Sequence, residues 1–213
     1  MKVYHGSKAV IDHPRPFGSS KDNDYGPAFY LTRDKESAHE WACRNNNIGV
    51  VNEYEINTSG LKILDLSDSS QYSVLHWLAI LIHYRSLDSG FIKSFSTRLK
   101  FLEEHYFIDV TQYDTVIGYR ADDAYFRFPL DFIRGNLTLE QLSQSFQLGN
   151  LGIQYVLISE RAFRRLKFIK SEPSEEKYIN RYFNQVREAT NRFDSLSKDE
   201  DGLRIQDIMR NLK

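Results

Sequence analysis

The sequence predicts an α+β fold. Short runs rich in β-branched and aromatic residues recur across the first 170 residues, and stretches with helical periodicity are segregated between them. No repeat of roughly 20–50 residues is present. A chain of 213 residues is long enough for one globular core, or for one core with an appendage.

The elements follow in order. Val3-Tyr4-His5 is a short first strand, followed by a loop carrying Pro14, Pro16, Gly18, Gly26 and Pro27, and Phe29 to Thr32 is a second strand. Asp34 to Arg44 predicts a helix, with Ala38, Trp41 and Ala42 on one face. Val50–Ile56 and Leu61–Leu66 are apolar and β-branched around a turn at Asn57–Gly60. Val74, Leu78, Leu81 and Ile82 have the spacing of a core helix. Phe91–Phe107 is read as a helix and Thr115–Gly118 as a strand that leads into Ala121-Asp122-Asp123-Ala124. Thr138, with Gln141 three residues on, predicts a capping box. Gln154–Ile158 is the clearest strand, Ser159 caps a short helix, and Leu166–Ile169 closes the sheet. Composition shifts at Ser171, and Lys170–Lys213 holds nine basic and nine acidic residues. Residues 174–193 and the Ile205, Ile208, Met209, Leu212 set predict two amphipathic helices. They pack on the parent domain or, in the sharper reading, dock the second helix into a partner's groove.

Composition narrows the function classes. Lys plus Arg at 28 against Asp plus Glu at 29 leaves a net charge of −1, which removes the global footprint of a general nucleic-acid binder. One cysteine, Cys43, excludes a disulfide framework and a cysteine-rich zinc site. The six histidines show no metal-ligand spacing. The most apolar window, Val74–Tyr84, is about half a bilayer span, so a cytoplasmic protein that does not span a membrane is expected. Phosphate loops, Gly-x-Gly-x-x-Gly turns, His-Glu-x-x-His and nucleophile elbows are all absent.

What remains is polar residues in unusual places. His5-Gly6-Ser7 ends the first strand, where Gly6 permits close backbone approach. Tyr30 lies inside a strand with Trp41 eleven residues on, and Gln154 opens an otherwise apolar strand. Singly, each has a structural reading: a strand cap, two core aromatics, a hydrogen-bonded edge residue.

Together they fall in the order of the ADP-ribosyltransferase clan. The chain resembles its diphtheria-toxin and poly(ADP-ribose) polymerase branch, whose signature is His, Tyr and Glu on three motifs. More narrowly it resembles a bacterial family of that clan catalogued as a domain of unknown function. Tyr4–Ser7, Phe29–Thr32, Ala38–Ala42, Tyr113–Gly118 and Ala121–Asp123 match that family's pattern. The resemblance covers residues 1–170 and implies a split β-sheet core with flanking helices. It leaves 91–110 as a helical insertion and 171–213 as a charged helical tail.

The resemblance implies NAD as substrate and cleavage of the nicotinamide–ribose bond through an oxocarbenium-like transition state. It gives His5 a hydroxyl of the adenosine-side ribose, Gly6 the nicotinamide amide and Ser7 a supporting contact, with the nicotinamide ring sandwiched between Tyr30 and Trp41. Gln154 stands where polymerising members carry glutamate. Its amide still accepts a ribose hydrogen bond but brings no charge, whereas a carboxylate about 4 Å from the developing cation contributes on the order of 4 kcal/mol at an effective dielectric of 20. Single transfers by a slower enzyme are therefore expected, with Asp122 or Asp123 as candidates to activate the acceptor. Ala28 and Ala38 also depart from the clan, the latter removing a serine contact to nicotinamide. The implied function is a mono-ADP-ribosyltransferase acting on a protein or nucleic-acid acceptor, as the toxin of a toxin–antitoxin or phage-defence pair, with an antitoxin protein as partner and no metal. The alternatives are an NAD glycohydrolase and an inert module that binds NAD or a partner.

Overall fold

The computed structural model describes residues 1–16, 18–44, 46–121, 126–145, 152–196 and 201–212. Among them, seven strands form one sheet in an α+β arrangement: β1 (Lys2–Ser7), β2 (Phe29–Thr32), β3 (Val50–Ile56), β4 (Ile63–Asp65), β5 (Thr115–Tyr119), β6 (Ile153–Leu157) and β7 (Leu166–Pro173). Their order across the sheet is β4-β5-β6-β2-β1-β3-β7. Every neighbouring pair is antiparallel except β4–β5.

Alternation along the strands divides the molecule into faces. Leu64, Val116 and Val156 point into the main core, beneath α2 (Val74–Tyr84), α3 (Ser89–Tyr106), α4 (Arg127–Arg134), α5 (Leu139–Ser145) and α8 (Ile205–Asn211). Val3, Phe29, Leu31, Tyr54 and Leu157 form a second cluster, closed by Ala162 of α6 (Glu160–Phe163). A small third cluster seats α1 (Lys35–Cys43) through Ala38 and Ala42 on Val51. The seat is close because Gly6 lies beneath it: a Cβ there would overlap the Ala38 carbonyl oxygen and lie 2.7 Å from the Ala42 nitrogen.

Local signals explain the helix ends. Asp34 caps α1 by accepting from the Glu36 and Ser37 amides at 3.1 and 3.2 Å. The Thr138–Gln141 capping box forms in both directions, at 2.8 and 3.1 Å. Ser159 caps α6 through the Ala162 amide at 3.2 Å. Most of the 91–110 stretch lies in helix α3, which packs on α2 with Phe101 and Leu102 buried.

α4 has no counterpart in the sequence reading. Pro129 obscures it there, but Pro129 falls in the first turn, where an N–H has no intrahelical acceptor to lose. Gly135, at φ 86°, ends that helix in the left-handed conformation that glycine adopts without strain.

The tail is joined to the domain more closely than its composition suggests. The shift at Ser171 falls inside β7, which pairs with β3 as far as Pro173. α7 (Lys177–Leu196) lies on α1: Tyr178 stacks on His39 with 4.6 Å between ring centres and donates to Glu36 at 2.9 Å. Arg181 pairs with Glu36 at 2.6 Å and with Glu40 at 2.7 Å. α8 places Ile205 and Ile208 in the main core, so this helix packs on the parent domain. Truncating Ile205, which is fully buried, to alanine should therefore cost about 2–5 kcal/mol in a denaturant titration. A loss below about 0.5 kcal/mol, ordinary for a surface change, would show that α8 is dispensable to the core.

Candidate functional site

The sheet is weakest at its centre. β1 pairs with β3 over six residues but meets β2 at a single pair, Tyr4 with Thr32. The Tyr30 carbonyl, which an adjoining strand would satisfy, is met by a side chain: His5 Nδ1 lies 2.7 Å from it. A carbonyl only accepts, so Nδ1 carries the proton and Nε2 keeps a lone pair. The His5 pKa is lowered from 6.5 to about 4: burial is the main cause, the bond to Tyr30 partly offsets it, and the Arg44 charge adds to the lowering. The ring is thus a neutral acceptor at physiological pH, packed 4.5 Å from the Phe29 ring.

Asn52, fully buried in β3, braces this end of β1. It donates to the His5 carbonyl at 3.3 Å and to Ser7 Oγ at 2.9 Å, and it accepts from the Ile11 amide at 2.9 Å. Ser7 also donates to the Ala9 carbonyl, so its hydroxyl serves the strand end. Gly6, read from sequence as a place for backbone to approach a ligand, is occupied on its Cα side by α1.

Register sets the second half of the site. Tyr30 is opposite Val156, and Gln154 lies between Thr32 and Gly118, so Tyr30 and Gln154 share a face of the sheet. Both are fixed from the β1–β2 loop. The Tyr30 hydroxyl donates to the Gly26 carbonyl at 2.6 Å and accepts from the Tyr25 amide at 3.2 Å, and burial raises its pKa well above the usual value. Gln154 Nε2 donates to Asp24 Oδ2 at 2.9 Å and, more weakly, to the Tyr119 carbonyl at 3.4 Å.

Asp24 is the buried cleft residue that the sequence reading missed. It is 6% exposed, accepts from the Ala121 amide at 2.8 Å, and has the Arg85 guanidinium 4.0 Å away. Burial raises its pKa to about 6 against the opposing pull of the Ala121 amide, Arg85, Gln154 and Arg120. Its sequence context, Asp-Asn-Asp-Tyr-Gly-Pro, has the residues of an exposed turn and no periodicity. Only the tertiary fold buries it.

Trp41 differs from the expected aromatic clamp. Two guanidinium groups lie over its ring, Arg44 at 3.7 Å and Arg120 at 4.1 Å from the centroid. The ring assigned to nicotinamide is engaged by cations. His5, Gly6, Ser7, Tyr30, Trp41 and Gln154 nevertheless line one cleft of about 770 Å³. Among the described residues, Lys8, Arg44, Arg85 and Arg120 line it with Asp22 and Asp24, a net positive lining. Asp122 and Asp123 lie outside the described residues, although Ala121, which precedes them, lines the cleft. Among the described residues no three potential ligands are grouped as a metal site, and no helix is long and apolar enough to cross a membrane.

These features define an α+β protein with a polar cleft where the two central strands of its sheet part. The chain belongs to the family described as Protein of unknown function (DUF3990), whose model matches residues 1–168. No curated protein and no solved structure matches it.

His5 and Asp24 set opposite pH dependences. The folded chain refuses a proton that unfolded His5 takes below 6.5, so that contribution is lost as pH falls toward about 4. The folded chain keeps a proton that unfolded Asp24 releases above 3.8, so that contribution is lost as pH rises toward about 6. Between about 4 and 6 the two nearly cancel. Asp24→Asn should unmask His5: stability should fall more steeply than in the wild type from pH 6 to 4, by up to about 1.4 kcal/mol per unit. Denaturant titrations across that range, with an NMR titration of His5, check this; a His5 midpoint near 6.5 would refute it.

Proposed function

We propose that the cleft binds NAD and that the protein is a mono-ADP-ribosyltransferase. The observation that carries the reading is His5, locked in one tautomer by the Tyr30 carbonyl and lining the same cleft as Tyr30 and Gln154. This geometry supports the order of motifs that resembles the ADP-ribosyltransferase clan. The volume, about 770 Å³, lies within the roughly 300–1,000 Å³ of ligand pockets.

In this reading His5 Nε2 accepts a hydrogen bond from an adenosine-side ribose hydroxyl, a role that needs the neutral ring. The dinucleotide's pyrophosphate is dianionic, and the positive lining suits it. Trp41 serves by holding Arg44 and Arg120 at the rim in place of stacking on nicotinamide. Tyr30, its hydroxyl tied on both sides, presents its ring to the nicotinamide end. Gln154 Oε1 accepts from a hydroxyl of the nicotinamide-side ribose.

The ribose–nicotinamide bond then breaks with its electron pair passing to the pyridinium nitrogen, so nicotinamide leaves neutral. Positive charge develops on the sugar. A lone pair of the acceptor forms the new bond to the same carbon, and the acceptor's proton passes to solvent. The protein's part is orientation and electrostatics, since none of these side chains is placed as a nucleophile. The acceptor is a protein side chain or a nucleic-acid group, and a toxin neutralised by an antitoxin protein is the biological setting that the resemblance implies.

Purified protein incubated with NAD and cell extract should release nicotinamide and label an acceptor with ADP-ribose. His5→Ala, which removes the positioning acceptor, should lower release by about 100-fold. Release into water without a labelled acceptor would assign a glycohydrolase. Calorimetry that detects no NAD binding, together with no release, would overturn both.

A further inference from the structure

The amide of Gln154 is oriented by its neighbours. Asp24 Oδ2 and the Tyr119 carbonyl both accept, so the atom facing them is the NH₂ group. Oε1 therefore turns away from them, and it has no protein partner among the described residues. Gln154 is 8% exposed, and that exposure lies in the cleft it lines. An amide held this way is a one-sided acceptor, with a carboxylate immediately behind its donor end.

Asp24 is itself held. The Ala121 amide and Gln154 Nε2 converge on one of its oxygens, at 2.8 and 2.9 Å, while Arg85 approaches the other at 4.0 Å. Of the two carboxylates lining the cleft among the described residues, it is the buried one. Buried charge interacts more strongly than exposed charge because water does not screen it.

Resting on the NAD reading, we infer that Asp24 is a positioning residue that completes Gln154: the glutamine supplies the hydrogen-bond acceptor and Asp24 supplies the negative charge and the orientation. The two divide between them what a single glutamate does at that strand position in the resembled enzymes. No bond to Asp24 forms or breaks, and its proton inventory stays constant through the transfer. It acts through Gln154 by fixing the amide and by opposing the positive charge that grows on the ribose.

The division has a pH signature. Other charged or titratable groups about Asp24 are Arg85, which ends α2, Arg120, which follows β5, and Asp22, Tyr25 and Tyr30. Burial holds the two tyrosines protonated, so neither titrates near neutrality. His5 titrates lower, at about 4. The rate should rise as pH increases through about 6, where Asp24 loses its proton.

Nicotinamide release by wild type, Asp24→Asn, Asp24→Ala and His5→Ala, from pH 5 to 8, tests this. In Asp24→Asn the side-chain carbonyl still accepts from Ala121 and Gln154, so this variant removes charge while keeping orientation. It should lower kcat by about 10- to 100-fold, change KM by less than about 3-fold, and lose the limb near pH 6. Asp24→Ala, which frees the amide as well, should lose more. A thermal melt beside each assay confirms the variants are folded. A folded Asp24→Asn with wild-type kcat and an unchanged pH profile overturns the inference, while wild-type release that falls about 100-fold in His5→Ala leaves the NAD reading standing. A wild type that neither binds NAD nor releases nicotinamide overturns that reading and the inference with it.

Discussion

A carbonyl in the middle of a sheet has to be satisfied, and at Tyr30 it is satisfied by an imidazole. That contact organises the site. Leaving a buried carbonyl unpaired costs about 1–3 kcal/mol, so the parting of β1 and β2 is stable only with a donor in the gap. A ring that donates through Nδ1 has one position left for an acceptor and none for a second donor. Its orientation and tautomer follow from that bond, and its neutrality follows from burial, which outweighs the bond. Asn52 extends the constraint by tying the end of β1 to the chain beyond it, so the strand that carries His5 is fixed on both of its sides.

The long connection from β1 to β2 then performs the work that a strand pairing would otherwise do. Loops longer than about 12–15 residues without secondary structure are uncommon in compact domains and are usually functional. This one is anchored by polar contacts within itself and to distant segments of the chain. Ser19 Oγ accepts from the Ala28 amide at 3.0 Å and Asn23 at 3.2 Å, and Asp22 accepts from the Ser86 amide at 2.9 Å. Tyr25 is buried with its hydroxyl on the Tyr119 carbonyl at 2.8 Å, in space that Gly118 leaves open. Three consecutive residues, Asp24, Tyr25 and Gly26, thereby reach three strands: Asp24 holds Gln154 in β6, Tyr25 and Gly26 hold Tyr30 in β2, and Tyr25 also donates to Tyr119 in β5.

Apolar runs and periodicity made α2 and β6 legible, whereas β3, legible as a strand, buries Asn52 and Glu53 against its local pattern. The residues His5, Gly6, Ser7, Tyr30, Trp41 and Gln154 were legible as a set from their order along the chain, and they meet in one cleft. Their individual duties were less so. Gly6 looks like an approach for ligand but is filled by α1, and Trp41 looks like a stacking platform but carries Arg44 and Arg120. Both differences arise from contacts with other elements, which spacing does not encode. The same holds for Ile205 and Ile208: their spacing predicts a helix packed on the parent domain, with docking into a partner's groove as the alternative, and the core they fill decides for the first. Asp24 is the extreme case, since a buried carboxylate in a turn-like sequence has no local signature.

Asp24 also bears on what may stand at position 154. A glutamate there would set two carboxylates about 3 Å apart in a buried setting, and like charges at that distance do not both ionise. One would keep a proton, so the pair would carry the single negative charge that Asp24 with glutamine already carries when ionised. The glutamine avoids that competition: its NH₂ is a donor matched to the Asp24 oxygen, and its carbonyl remains for a hydroxyl. Arg85, 4.0 Å from Asp24, offsets part of the cost of burying one charge and would be shared between two. A glutamine on this strand is therefore chemically matched to an aspartate in the loop. Position 154 has to be judged together with position 24, because the charge and the hydrogen bond lie on different residues.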